Sequence, residues 1–260
     1  MKSKFKIIDF DLALCRSAIF EALSLAFRPP NQETMHRLLN KNQNRALAEV
    51  AVMLDKNFSE KKGDRLTSLV SKLPKCRDAQ NLKVLENSYR CYFGHTAQSK
   101  VPPYETEYGQ ETLFQQPQQL GDIAGFYHAF GLNLNLNAHE RVDHISCELE
   151  FLAFLTRKEA YALEHDDPIM LQETRKAQKL FLKDHLARFS PSFAKLLMRE
   201  DLDGFYGVLG KLCLDFILLE CAHYGVTAGP EHLRLRPTVL SEECYSCGSG
   251  EEIIQNIGDK

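Results

Sequence analysis

Apolar residues recur at three- and four-residue steps along most of the chain, which is the spacing of one helix face. In the clearest stretch, between Phe205 and Leu219, the steps are four, three, four and three residues. An earlier stripe begins at Leu12 and stops at the two prolines 29–30, because the residue before a proline disfavours helical backbone. The pattern predicts an all-α fold, a single bundle of roughly nine or ten helices with an irregular C-terminal tail.

The same pattern predicts the order of the elements. Helices are expected over 31–55 with a break near 40–44, over 81–95, over 117–130, from His139 to about His165, from Pro168 to about Phe189, and, briefly, from Ser190-Pro191. Segment 56–80 is expected to hold loops and short helices, and the alternating LNLNLN at 132–137 to be a loop, because Asn is depleted in strands.

One helical domain is expected over 1–225, with subregions of roughly 1–100 and 116–225 joined by a loop at 101–115, and a tail at 226–260.

The composition excludes several classes of protein. A formal net charge of -3 gives no general basic character, so nucleic acid is not an expected partner. No apolar run is long enough to span a membrane, and charged residues interrupt the N-terminal segment where a signal peptide would be apolar. We therefore expect a cytoplasmic protein without membrane insertion, in which the eight cysteines are reduced.

Charge and aromatic residues concentrate in one region. Between Lys100 and Arg141 there is no Lys or Arg, and five acidic residues give this stretch a charge of -5. It opens with VPPYETEYG at 101–109, where two prolines, two tyrosines and two glutamates stand together. An acidic, aromatic surface suits a cationic and partly apolar partner. The alternative is a solvated acidic loop whose aromatic side chains belong to the core.

The segment ERVDHISCELEFLAFL at 140–155 is the second feature of interest. On a continuous helix, Glu140, His144 and Glu148 would form one stripe, with Asp143 beside it. Such residues can be helix caps and i,i+4 partners, or part of a binding or acid–base site. In such a site His144 is either protonated near neutral pH, because carboxylates lie near it, or it orders Asp143. The spacing matches neither a zinc-protease helix nor a di-iron bundle, so no catalytic residue is predicted.

Cys244 and Cys247 form a lone CxxC pair in the tail. A structural zinc or iron–sulfur site needs two further ligands, and no second CxxC exists. A metal- or cluster-binding helical protein is kept as the alternative function, although no metal or cofactor is predicted.

Several motifs occur in a characteristic order. PPYETEY at 102–108, DIAGFYHAFGL at 122–132 and ERVDHISCELEFL at 140–152 precede FLKDHLARFSPSF at 181–193 and FYGVLGKLCLDFILLE at 205–220. Together they resemble the TorD/DmsD/NarJ family of cytoplasmic chaperones for molybdenum-containing redox enzymes, over roughly residues 80–222.

The resemblance implies an all-helical protein that is not an enzyme. It further implies that the chain binds the twin-arginine leader, or another segment, of a molybdopterin-dependent oxidoreductase subunit and assists its maturation. The peptide-binding residues that the resemblance implies, together with their neighbours by helical spacing, are Pro103, Tyr104, Glu105, Tyr108, Glu140, Asp143, His144 and Glu148.

Overall fold

The computed structural model describes residues 8–58, 65–78, 82–94, 99–109, 115–135 and 140–236. The helices are α1 (Asp9–Ala26), α2 (Gln32–Leu39), α3 (Lys41–Phe58), α4 (Arg65–Asp78), α5 (Leu82–Phe93), α6 (Gln116–Ala129), α7 (Ile145–Glu164), α8 (Pro168–Phe181), α9 (Ala187–Glu200) and α10 (Phe205–Tyr224). A short 3₁₀ turn spans Glu105–Glu107. Within these ranges there are no strands, only two isolated β-bridges, so the all-α prediction is confirmed.

Helices α1 and α7 pack along each other at the centre of the bundle. Helix α10 packs against α9 and α4, and α3 contacts both α1 and α4. Aromatic rings fill the space between them: Phe20 lies 4.7 Å from Phe216, and Phe27 lies 5.3 Å from Phe193, measured between ring centroids. Because these edge-to-face pairs join helices distant in sequence, they stabilise one arrangement of the bundle.

Segment 56–80 was expected to hold short helices and loops, and this was wrong for the described part. Helix α4 is one continuous helix whose Leu66, Leu69 and Val70 are buried. Its first turn is capped by the Asp55 carboxylate of α3, which accepts hydrogen bonds from the Leu66 and Thr67 amides at 3.2 and 2.9 Å. The cap comes from another helix, so no local signal marked the start of α4.

Helices α8 and α9 are continuous through a π-helical segment at Leu182–Leu186. The expected new start at Ser190-Pro191 was wrong, because Pro191 lies inside α9. A proline leaves the carbonyl four residues earlier without its helical donor. Here that carbonyl, on Ala187, accepts a hydrogen bond from the Gly229 amide at 2.8 Å. A Cβ at Gly229 would collide with the Arg188 carbonyl, so this close approach requires glycine.

The described part of the expected tail, residues 226–236, forms a strap, which runs over α9 towards the loop at 101–109. The Ser192 hydroxyl donates to the Pro230 carbonyl at 2.6 Å and accepts from the Leu233 amide at 2.7 Å. Residues 132–135 form a loop, as expected. Among the described helices, none combines the length and apolar character that crossing a bilayer requires.

Candidate functional site

Loop 101–109 lies directly against residues 143–145, so the two sequence motifs meet in space. The Glu105 amide donates to the Asp143 carbonyl at 2.9 Å, and the Ile145 amide donates to the Pro103 carbonyl at 2.8 Å. Tyr104 and His144 form an antiparallel bridge between these bonds. All eight residues of the expected site belong to these segments or flank them, but their side chains have very different environments.

The other edge of the loop is paired with the strap. The Gly109 amide donates to the Arg234 carbonyl, and the Arg236 amide donates to the Glu107 carbonyl, both at 2.9 Å. The Tyr108 ring is buried, and its hydroxyl donates to the Pro102 carbonyl at 2.8 Å. Both backbone edges of the loop are already hydrogen-bonded to other segments of this chain. A peptide from another protein can therefore be recognised here through side chains, and not by adding a strand to the loop.

Asp143 is fully buried and accepts four hydrogen bonds. Arg141 donates from Nε at 3.0 Å and from Nη2 at 2.9 Å. The Thr106 hydroxyl and amide donate at 2.8 and 3.2 Å. Paired carboxylate oxygens and a guanidinium fork make this a strong local interaction. Asp143 therefore fastens loop 101–109 to the start of α7, and in this structure its carboxylate is occupied by Arg141 and Thr106.

Helix α7 begins at Ile145, so the expected helical start at His139 was wrong. Residues 140–144 are non-helical because their backbone pairs with the loop, and the continuous stripe through Glu140, His144 and Glu148 does not form. The helix cap is His144, whose Nδ1 accepts from the Ser146 amide at 3.1 Å. Neither Glu140 nor Asp143 caps the helix.

His144 is neutral rather than protonated. Burial, followed by the charges of Arg141 and Arg28, lowers the pKa of its imidazole to about 3. Since Nδ1 accepts a hydrogen bond, the ring proton lies on Nε2, which faces the Glu140 carboxylate at 3.5 Å. Of the two alternatives for His144, the protonated one was therefore wrong, because the cost of burying the charge outweighs the neighbouring carboxylates.

The side chains of Glu105, from the loop, and Glu148, from α7, are both buried under the loop backbone. Glu105 contacts His185 of the π-helical segment at 3.2 Å and Arg188 at 3.8 Å. Glu148 is 0% exposed, and no donor group among the described residues bonds to either of its carboxyl oxygens. Burial, followed by the charge of Glu105, raises the pKa of Glu148 well above its usual range. Burial therefore favours the protonated form of Glu148, which can donate to Glu105, and neither side chain is a surface contact.

A groove of about 290 Å³ opens beside the loop. Of the expected site residues, Pro103, Tyr104 and Glu140 line it. Its other lining residues are Pro29, Pro30, Glu86, Tyr89, Arg90, Phe93 and Gly94. Burial raises the pKa of the Glu140 carboxyl. The groove thus offers two carboxylates, on Glu86 and Glu140, next to aromatic and proline surface.

Sequence reasoning missed the α5 and α1 side of this groove. Pro29 and Pro30 were interpreted only as the end of α1, and Glu86 belongs to an ordinary amphipathic helix. No local signal brings these residues next to Tyr104. Helical packing does, because Phe27 contacts the Phe93 ring at 6.4 Å between centroids and thereby places the end of α1 beside α5.

Within the described ranges, no cluster of three or more His, Cys, Asp or Glu side chains could hold a metal ion. Cys244 and Cys247 lie outside those ranges. The metal-site alternative for this pair stays a prediction.

The chain is similar to a reductase-subunit family and to proteins that are named as chaperones. A family model described as the nitrate reductase delta subunit matches residues 55–195, just over half of the chain. The chaperone protein TorD of Vibrio cholerae serotype O1 (strain M66-2) is 28% identical over 65% of this chain and 76% of its own length.

Two further relatives match over shorter segments. The perchlorate reductase assembly chaperone protein of Dechloromonas aromatica (strain RCB) is 36% identical over 34% of this chain and 38% of its own length. The chlorate reductase assembly chaperone protein of Ideonella dechloratans is 37% identical over 36% and 48%.

Proposed function

The chain belongs to the nitrate reductase delta subunit family, and on this premise we propose that it is a cytoplasmic chaperone for the maturation of a molybdopterin-dependent oxidoreductase. Its relatives are named as chaperones, two of them for the assembly of reductases. These names agree with the prediction that the chain is not an enzyme. The finer proposal is that it binds the twin-arginine leader, or another N-terminal segment, of its client subunit.

The groove beside Tyr104 is the observation that carries the leader proposal. A twin-arginine leader presents two guanidinium groups next to an apolar stretch, and guanidinium pairs with carboxylates and stacks on aromatic rings. Glu86 and Glu140 supply the carboxylates, and Tyr104 supplies a partly exposed ring. The proline-rich walls are rigid before binding, which lowers the cost of ordering them.

Charge pairing alone cannot supply the affinity of such a complex. A micromolar dissociation constant corresponds to about 8 kcal/mol, whereas a partly exposed ion pair contributes about 1 kcal/mol or less. Apolar contacts must provide most of the remainder, at about 25 cal/mol for each Å² buried. We therefore place the apolar part of the leader along Pro29, Pro30 and the Tyr104 ring.

Calorimetric titration with the leader peptide of the oxidoreductase encoded beside the gene tests this function. Micromolar or tighter binding is expected, weakened when both arginines become lysines, and weakened by Glu140→Gln or Tyr104→Ala. Matched controls are Glu173→Gln and Tyr161→Ala, which change exposed residues of α8 and α7 outside the groove. Absence of binding, or equal losses in the control variants, would refute leader recognition at this groove.

A further inference from the structure

Arg141 lies in a complete guanidinium-binding pocket at the rim of the groove. Its guanidinium carbon is 4.3 Å from the centroid of the Tyr104 ring. Its Nε and Nη2 donate to the two oxygens of Asp143, and Nη2 also donates to the Thr106 hydroxyl at 2.6 Å. Its Nη1 is 3.6 Å from Glu107. An aromatic face, a carboxylate fork and a second carboxylate are the features that select arginine over lysine.

Comparison with Arg16 shows what is unusual about this arginine. Arg16 also makes several charged hydrogen bonds, but its side chain is 1% exposed and is enclosed between helices. The side chain of Arg141 is 41% exposed and comes from the non-helical segment 140–144. The Tyr104 ring on which it stacks also lines the groove. Arg141 can therefore leave its pocket without opening the core.

We propose that Arg141 is an internal occupant of an arginine-binding pocket, and that an arginine of the client binds there by displacing it. This inference rests on the proposed function and specifies how the same site recognises arginine. Asp143 is 0% exposed, so leaving its carboxylate without a cation would be costly. Exchange of one guanidinium for another keeps Asp143 paired, while Arg141 moves into water. A lysine ammonium cannot replace both the fork and the stacked plane.

An internal competitor lowers the apparent affinity for the partner. The pocket accepts an external arginine only during the fraction of time in which Arg141 is outside it, and the apparent dissociation constant rises in inverse proportion to that fraction. Removing the Arg141 guanidinium should therefore tighten binding of arginine-containing peptides. It should leave binding of the lysine version unchanged.

Chemical rescue tests the pocket without any leader. Arg141→Ala empties the pocket, and ethylguanidinium at millimolar concentration should then raise the melting temperature of the variant by about 2 °C or more. Ethylammonium should not. Arg157→Ala, which removes a comparably exposed arginine of α7, is the matched control and should show no such rise. Arg141→Gln, which keeps a polar side chain in segment 140–144, carries the same test if the alanine variant does not fold.

If ethylguanidinium binds in this pocket, its stabilisation of Arg141→Ala depends on the Asp143 carboxylate. The double variant Arg141→Ala with Asp143→Asn should therefore not respond to ethylguanidinium. An equal response in wild type, in Arg157→Ala or in the double variant would overturn the pocket, because it would reflect a general solvent effect.

Titration of Arg141→Gln with the twin-arginine leader completes the test. About tenfold tighter binding than wild type is expected, with no gain for the twin-lysine version. Equal or weaker binding in a folded variant would overturn the displacement. If ethylguanidinium stabilises Arg141→Ala but no variant binds the leader, the proposed function is refuted and the arginine-binding pocket is supported. If the leader binds but ethylguanidinium has no effect, the pocket is refuted and the proposed function is supported.

Discussion

Replacing Arg16 by Met should destabilise the bundle strongly, because this arginine joins four helices. Its Nε and Nη2 donate to Glu220 of α10 at 2.8 and 2.7 Å. Its Nη1 donates to Glu159 of α7 at 2.8 Å, and Nη2 also donates to Gln178 of α8 at 2.8 Å. Helices α1 and α7, held here, lead to the two sides of the site: the prolines 29–30 and the loop-bound residues 140–144.

The expected loss follows from what remains after the change. Glu159 keeps hydrogen bonds from Arg175 at 2.6 Å and Gln178 at 2.9 Å. Glu220 is 1% exposed and forms no other ion pair within the described residues. An uncompensated buried charge costs about 3–5 kcal/mol. At about 2–4 °C for each kcal/mol in a domain of this size, the melting temperature should fall by roughly 6–20 °C.

Thermal unfolding followed by circular dichroism measures this effect. Arg157→Met is the matched control, since Arg157 pairs with Glu21 at 3.0 Å at an exposed position, where the loss should be about 1 kcal/mol or less. Adding Glu220→Leu to Arg16→Met should recover most of the stability, because apolar replacement of a buried pair is often neutral. A single variant that melts within 2 °C of wild type, or a double variant as unstable as the single one, would refute the reasoning.

Two further predictions concern Glu148, which is buried under loop 101–109, and the strap at its edge. Burial and Glu105 raise the pKa of Glu148, so the folded state keeps a proton that the unfolded chain releases. The free energy of unfolding, measured with urea, should therefore decrease as pH rises above about 4.5. Glu148→Gln should reduce this dependence of the unfolding free energy on pH, and an unchanged dependence would contradict the assignment. A chain ending after Gly225 lacks the strap and should exchange its Gly109 amide faster than a chain ending after residue 236; equal exchange in both would show that the strap does not hold the loop.

The sequence predicts those parts of the fold whose causes are local. Helix α1 ends just before a proline pair, α8 begins at an Asp-Pro cap, and α10 ends at Gly225. Each of these signals acts on the backbone next to it. The errors arise where a distant segment decides. The start of α7 is set by pairing with loop 101–109, and the passage of Pro191 through α9 depends on the Gly229 amide.

The sequence predicted that two motifs would lie together, but not which of their side chains would line the groove. The motif resemblance brings Tyr104, Glu105 and Asp143 into one region, and the structure places them together. An acidic loop next to an acidic turn indicates an anionic surface by composition alone. Which carboxylates face the core depends on contacts with Arg141, Thr106 and His185. The Thr106–Asp143 and His185–Glu105 contacts join segments that are distant in sequence, so sequence spacing cannot reveal them.

Burial of these acids changes how the site must be tested. Asp143→Ala would remove the acceptor of four hydrogen bonds that hold Arg141 and Thr106, so loop 101–109 would be released even if Asp143 never meets a partner. Circular dichroism would not report this release, because the loop holds only the three-residue 3₁₀ turn Glu105–Glu107. Weaker leader binding at unchanged helix content therefore does not separate recognition from loop anchoring. Amide hydrogen exchange of Ile145 does separate the two, because its N–H donates to the loop. The exchange rate should rise in Asp143→Ala and stay at the wild-type value in Glu140→Gln. A rise in both variants would mean that Glu140 also acts by anchoring the loop.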